Sequence, residues 1–126
     1  MNGRALILIV EDNEANRLLA SAVLERDGFS VEMAGNSQEA LEILAAREPD
    51  LILMDVQLPG VDGLSLTRRL KQDEKTAAIP VIALTALAML GDKERTLEAG
   101  CSGYISKPIN TRTFANEVRQ FLPTPR

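Results

Sequence analysis

Three uninterrupted apolar runs, Ala5–Val10, Leu51–Met54 and Val81–Leu84, constrain this chain more than any other feature. A strand with one wet face alternates apolar and polar residues, whereas a strand covered by helices on both faces stays apolar throughout. The runs therefore read as the central strands of a parallel sheet. Val31 and Met33 alternate with polar neighbours, and Gly103–Ser106 is short and half polar, so these two segments read as strands nearer an edge. Five strands separated by helical patterns predict right-handed crossovers and a three-layer α/β sandwich. At 126 residues, 45% of them hydrophobic, the chain can bury one core and has no room for a second.

The intervening helices can be placed from their periodicity and stop signals. Glu14–Arg26 puts Leu19, Ala22 and Val23 on one face, with Gly28 as a C-terminal stop. The next helix begins at Asn36, with Glu39 three residues on as a capping-box variant, buries Ala40, Leu41 and Leu44, and is ended by Pro49. Leu66 and Leu70 carry a third helix whose Arg68, Arg69 and Lys71 read as a solvated face. Phe114, Val118, Phe121 and Leu122 mark the last helix. Between them, Ala88–Ala99 is weaker: Gly91 interrupts it, and Leu90 and Leu97 are its large aliphatic pair at helical spacing. It reads either as a weakly anchored moving part or as a surface helix with a low-propensity glycine. Pro123–Arg126 reads as a frayed tail.

Composition narrows the chemistry by exclusion. A net charge of -4 argues against sequence-independent nucleic-acid binding, which needs a basic footprint. Protein or small-ion partners are expected. Cys101 stands alone, so no intrachain disulfide forms, and it reads as a small hydrophobe in a turn between glycines. No signal-peptide pattern is present and Ala5–Val10 is too short to cross a bilayer, so the expected location is cytoplasmic with no membrane role. With no histidine and one cysteine, zinc sites of ordinary composition and Ser-His-Asp or Cys-His pairs are excluded. Neither nucleotide-phosphate glycine loop occurs.

Carboxylates remain. Glu11 and Asp12, Asp55, and Lys107 each follow directly after a strand, and ligands of open α/β sheets bind in the crevice outside the carboxyl ends of the strands. These charges converge there as an acidic pocket facing a lysine. A pair of carboxylates about 4 Å apart repels by roughly 4 kcal/mol at an effective dielectric near 20, so a cation must offset them. Hard oxygen ligands without sulfur or imidazole select Mg²⁺ or a similar ion, which typically adds waters and phosphate oxygens. The pocket suits a phosphoryl group.

Four segments, Ile9–Asn13 (IVEDN), Pro49–Gly63 (PDLILMDVQLPGVDG), Ala83–Ala86 (ALTA) and Gly103–Pro108 (GYISKP), together resemble the receiver domain of two-component and phosphorelay response regulators. The resemblance spans essentially the whole chain, in order. It implies a flavodoxin-like (βα)5 fold with a five-stranded parallel sheet of order 2-1-3-4-5. It also implies a receiver over residues 1–122, a short tail over 123–126, and no output domain. Carried over by position, it makes Asp55 the acceptor of a phosphoryl group from a histidine kinase or histidine phosphotransfer protein. Asp12, Asp55 and the Gln57 backbone carbonyl would hold Mg²⁺, with Glu11 assisting directly or through water. Lys107 would neutralise a phosphoryl oxygen and be joined to Pro108 by a cis bond. Thr85 and Tyr104 would form a switch pair that alters a docking face for a downstream protein.

Such a protein is a phosphoacceptor rather than an enzyme. Leu87 and Met89, following the switch threonine, are candidates for apolar partner contacts, and Leu87 for shielding the acyl phosphate from water. Three alternatives stay open on the residues alone: a receiver belonging to a hybrid histidine kinase, an Mg²⁺-dependent phosphohydrolase with an aspartate nucleophile, and a phosphate-independent pseudo-receiver. Asp55 is followed by Val56 and Gln57, which lacks the second aspartate that haloacid-dehalogenase-like hydrolases use. The start at Met1 and the short tail favour a free-standing protein.

Overall fold

Strand β3 (Leu51–Asp55) lies at the centre of a five-stranded parallel sheet completed by β1 (Leu6–Val10), β2 (Ser30–Ala34), β4 (Val81–Thr85) and β5 (Gly103–Ser106), in the order β2-β1-β3-β4-β5. Helices α1 (Glu14–Arg26), α2 (Ser37–Ala46), α3 (Gly63–Gln72), α4 (Leu90–Ala99) and α5 (Phe114–Phe121) alternate with the strands. The computed structural model describes residues 4–58, 62–86 and 90–122. The expectations placed on Leu87, Ala88, Met89, the Leu90 side chain and the tail 123–126 fall outside what is described.

Successive residues of the central strands serve opposite layers, which is why their sequences never alternate. Leu8, Val10, Ile52, Met54, Val81 and Ala83 pack with Ala40 of α2, Leu64, Leu66 and Leu70 of α3, and Ala99 of α4. Ile7, Ile9, Leu51, Leu53, Ile82 and Leu84 pack on the other face with Val23 and Leu24 of α1 and Phe114 and Val118 of α5. Each fully buried aliphatic side chain contributes about 1.5–3 kcal/mol by leaving water. The edge strands are β2 and β5, as their mixed polarity predicts.

Three of the helices start on side chains that accept amide hydrogens. Asn13, Asn36 and Asp62 accept from the backbone N–H of Asn16, Glu39 and Ser65, each cap being worth typically ~1 kcal/mol. Glu39 completes its capping box one residue early, accepting from the Gly35 N–H at 2.6 Å. Gly28 has φ +94°, the left-handed conformation expected of a helix stop.

Three expectations about helix faces need correction. In α1 the buried residues are Ala20, Ser21, Val23 and Leu24, while Ala22 is exposed and Leu19 is 44% exposed. Ala20, Val23 and Leu24 pack in the core, and Leu24 rather than Leu19 supplies its leucine there. Helix α2 ends at Ala46, before Pro49, because Arg47 is already extended (φ -142°, ψ 152°); Ala40 is fully buried, while Leu41 and Leu44 are half-buried against the core. Lys71 is not part of a solvated face with Arg68 and Arg69. Its Nζ donates to the carbonyls of Ala77 (3.1 Å) and Ile79 (2.6 Å), latching α3 to the segment that leads into β4.

On the opposite face, Arg119 of α5 stacks 5.1 Å from the Phe29 ring centroid and donates to the Asp27 carbonyl, joining α5 to the end of α1.

Candidate functional site

The carboxyl ends of β1, β3 and β4 and the loop after β5 bring the predicted residues together. Asp55 is the last residue of β3, paired in register with Leu84, and is 3% exposed. Its Oδ1 accepts from the Gln57 N–H at 3.0 Å and from Lys107 Nζ at 3.2 Å. The same ammonium lies 2.8 Å from Glu11 Oε1. Lys107 is delivered there by its own backbone, whose N–H donates to the Thr85 carbonyl and extends the β4–β5 pairing by one residue. The Lys107–Pro108 bond is cis.

Glu11 is buried and held at four points. Its N–H donates to the Ala34 carbonyl, its carbonyl accepts from Arg17 Nη1 at 2.8 Å, and its two carboxylate oxygens meet Lys107 Nζ and the Asn13 N–H. Asp12 beside it is exposed. Oxygens of Glu11, Asp12 and Asp55 all lie within 4.8 Å of one another. A cluster of hard carboxylate oxygens this tight fits Mg²⁺, whose preference is for oxygen donors with room left for water.

The electrostatics follow from burial. Desolvation pushes the Asp55 carboxyl up to about 7 from its ordinary 3.8; the Gln57 amide opposes this, Glu11 reinforces it, and Lys107 offsets part of it. Burial alone would lower Lys107, but its bond to Glu11 and the charges of Asp55 and Glu11 outweigh that and raise it above its ordinary value. The ammonium is thus held charged between two carboxylates.

Thr85 ends β4 and is buried, and Tyr104 pairs in register with Ala83 and is half-buried against the core. Residues two apart on a strand share a face, so Ala83, Thr85 and Tyr104 lie on the same side of the sheet. Two grooves flank the site. One of about 350 Å³ includes Glu11, Asn16, Leu19, Lys107 and Ile109 in its lining. The other, of about 360 Å³, includes Gln57, Asp62, Thr85, Arg95 and Thr96.

Two supporting residues escape a reading of the sequence. Gly63 opens α3 directly over Asp55: a Cβ there would lie 2.0 Å from the Asp55 carbonyl oxygen. The Asp62-Gly63 pair, a cap followed by a residue without a side chain, was the available signal. Arg17 reaches back to the Glu11 carbonyl, and a cation in the first turn of a helix, where the dipole disfavours it, hints at a specific partner.

Residues 7–119 match the family model for the response regulator receiver domain. The chain belongs to the response regulator receiver family, and so to a class of signalling proteins. It is 47% identical over 116 residues to the polar-differentiation response regulator DivK of Brucella anthropi, covering 92% of this chain and 94% of that protein. Among solved structures, it is similar to a putative response regulator of Chloroflexus aurantiacus (31% identity, TM-score 0.88, 94% and 97% of the two chains). It is similar also to the chemotaxis response regulator CheY4 of Vibrio cholerae (26%, TM-score 0.89, 94% and 99%). A third is the receiver domain of sensor histidine kinase PA1611 of Pseudomonas aeruginosa, which carries a magnesium ion coordinated in its active-site cleft (34%, TM-score 0.85, 94% and 98%). Among the described residues no helix is long and apolar enough to cross a membrane.

Proposed function

We propose that this receiver accepts a phosphoryl group on Asp55 from a phosphohistidine of a histidine kinase or histidine phosphotransfer protein, and passes the signal on through a phosphorylation-dependent protein contact. The observation that carries the reading is the buried Asp55 carboxylate, clustered with Glu11 and Asp12 and faced by the Lys107 ammonium. A carboxylate oxygen of Asp55 attacks phosphorus, the P–N bond of the donor breaks, and its electron pair returns to the imidazole. Charge accumulates on the equatorial oxygens during this exchange, so positioned cations do most of the catalytic work. Lys107 contributes one such cation.

Asp12, Asp55 and the Gln57 backbone carbonyl are the expected holders of Mg²⁺, with Glu11 assisting. When bound, the ion neutralises charge on the transferring group. Thr85 then turns its hydroxyl toward the phosphoryl oxygens, and Tyr104 follows on the shared face, changing the surface around β5. This is a local electrostatic event read out through a two-state element. Identical Thr85 and Tyr104 rotamers with and without a phosphate mimic would refute the switch.

The proposal is tested by intact-mass spectrometry after incubation with acetyl phosphate and Mg²⁺. A gain of one phosphoryl group, labile to hydroxylamine, blocked by chelator and missing in Asp55→Asn, is expected. If neither acetyl phosphate nor a phosphohistidine donor produces an adduct, the reading is wrong.

A further inference from the structure

We infer that Arg17 is a positioning residue for the acidic site, setting the height of the Glu11–Asp12 pair through the Glu11 backbone. This deepens the aspartyl-phosphate reading and rests on it. Neither carboxylate of the pair touches the guanidinium in the hydrogen bonds of the site; the contact is to the main chain. Arg17 Nη1 donates to the Glu11 carbonyl at 2.8 Å, while the Glu11 N–H donates to the Ala34 carbonyl at 3.0 Å. The peptide units on either side of Glu11 are therefore fixed from α1 and from β2, and Asp12 is the next residue along.

The seat of the guanidinium is built by a second loop. A Cβ at Gly35 would lie 3.1 Å from Arg17 Nη1 and 3.4 Å from Glu39 Oε1. The guanidinium can lie this close because position 35 carries no side chain, and the Glu39 carboxylate, accepting from the Gly35 N–H, lies beside the same position. Arg17 is half-buried there. A guanidinium in this place bonds the β1–α1 loop, which carries the acidic pair, and lies against the β2–α2 turn. Arginine's planar fork keeps its orientation with less loss of freedom than a lysine stem. A cation placed here only for charge would weaken an adjacent divalent-cation site, because like charges repel. Positioning predicts the opposite sign.

The test compares wild-type protein with Arg17→Ala, Arg17→Lys and Gly35→Ala. Mg²⁺ affinity of the unphosphorylated protein is measured by calorimetric titration, the acetyl-phosphate labelling rate at saturating Mg²⁺ by intact mass, and thermal midpoints by circular dichroism. Residues that orient metal ligands typically change affinity by 10–100-fold when removed, so Arg17→Ala is expected to weaken Mg²⁺ binding about tenfold. Arg17→Lys, which keeps a donor within reach, should recover most of that loss, and Gly35→Ala, which crowds the guanidinium, should weaken binding in the same direction.

Unchanged or tighter Mg²⁺ binding in Arg17→Ala overturns the inference, whatever its thermal midpoint. If Arg17→Ala does not fold, Gly35→Ala decides by the same criterion. Wild-type protein that labels normally while Arg17→Ala matches its Mg²⁺ affinity refutes the positioning role alone; wild-type protein that neither binds Mg²⁺ nor labels refutes the aspartyl-phosphate reading as well.

Discussion

Two half-buried lysines sit at opposite ends of the sheet, and their surroundings push them in opposite directions. Lys107, at the carboxyl ends of the strands, bridges Glu11 and Asp55 and is raised above its ordinary value. Lys71, beside the segment that enters β4, meets the carbonyls of Ala77 and Ile79, and burial lowers it. Carbonyl dipoles orient an ammonium without matching its charge, whereas carboxylates match the charge but repel each other. The first arrangement is a latch. The second holds repulsion that an incoming cation can relieve, and this is the difference between a structural and a chemical lysine.

The contrast can be broken most completely at Asp55. Asp55→Asn should eliminate acetyl-phosphate labelling in intact-mass spectra, whereas Lys71→Met should label like wild type. The same variant reports the cost of burying an ionised carboxylate there, to which Glu11 adds. The folded protein binds the Asp55 proton more tightly than the unfolded chain does, so the site costs nothing below about pH 4. Stability then falls as pH rises toward 7. At ~1.4 kcal/mol per pKa unit, Asp55→Asn should be more stable than wild type by up to about 4 kcal/mol above pH 7 without Mg²⁺. Urea titrations across pH should show this gap closing on acidification; a gap independent of pH would contradict it.

The two lysines should separate cleanly when each is replaced by methionine. Lys107→Met removes a charge-stabilising donor and should slow labelling about a hundredfold. Lys71→Met should leave labelling intact and lose about 1.5–3 kcal/mol in urea unfolding, the worth of hydrogen bonds to a charged group. If Lys71→Met slowed labelling as much as Lys107→Met, the two ends would be coupled rather than independent.

Glycines sharpen the same contrast at smaller scale. Gly63→Ala drives a methyl into the Asp55 carbonyl and should cost about 1–3 kcal/mol while also slowing labelling. Gly28→Ala, at φ +94° with nothing within 4 Å, should cost roughly 1–2 kcal/mol and leave labelling unchanged.

The legible part of the fold was the part written in uninterrupted apolar runs and in caps. Ala5–Val10, Leu51–Met54 and Val81–Leu84 became the three central strands, and Asn36 and Gly28 marked helix ends where expected. The helix faces were less legible because α1 carries leucines at Leu18, Leu19 and Leu24, and periodicity could not tell which of them meets the sheet. Leu24 does; Leu18 and Leu19 remain exposed. Lys71 was misread for a related reason. A lysine in a polar stripe looks solvated until the chain after the helix folds back and presents its carbonyls.

At the site, residue types and positions were available in the chain itself. Glu11, Asp12, Asp55 and Lys107 follow directly after apolar strands, and a parallel sheet aligns the carboxyl ends of its strands, so their convergence follows from topology alone. Distances and satisfaction of bonds did not. That one ammonium bridges Glu11 and Asp55, that the Glu11 backbone is fixed by Arg17 and Ala34, and that Gly63 leaves space over the Asp55 carbonyl depend on groups 6 to 96 residues apart in sequence. Sequence determines which chemistry is present and at which end of the sheet, because strand pattern is local. Only the packed structure decides what each group touches, because burial and pairing are set by distant segments meeting at a fixed distance.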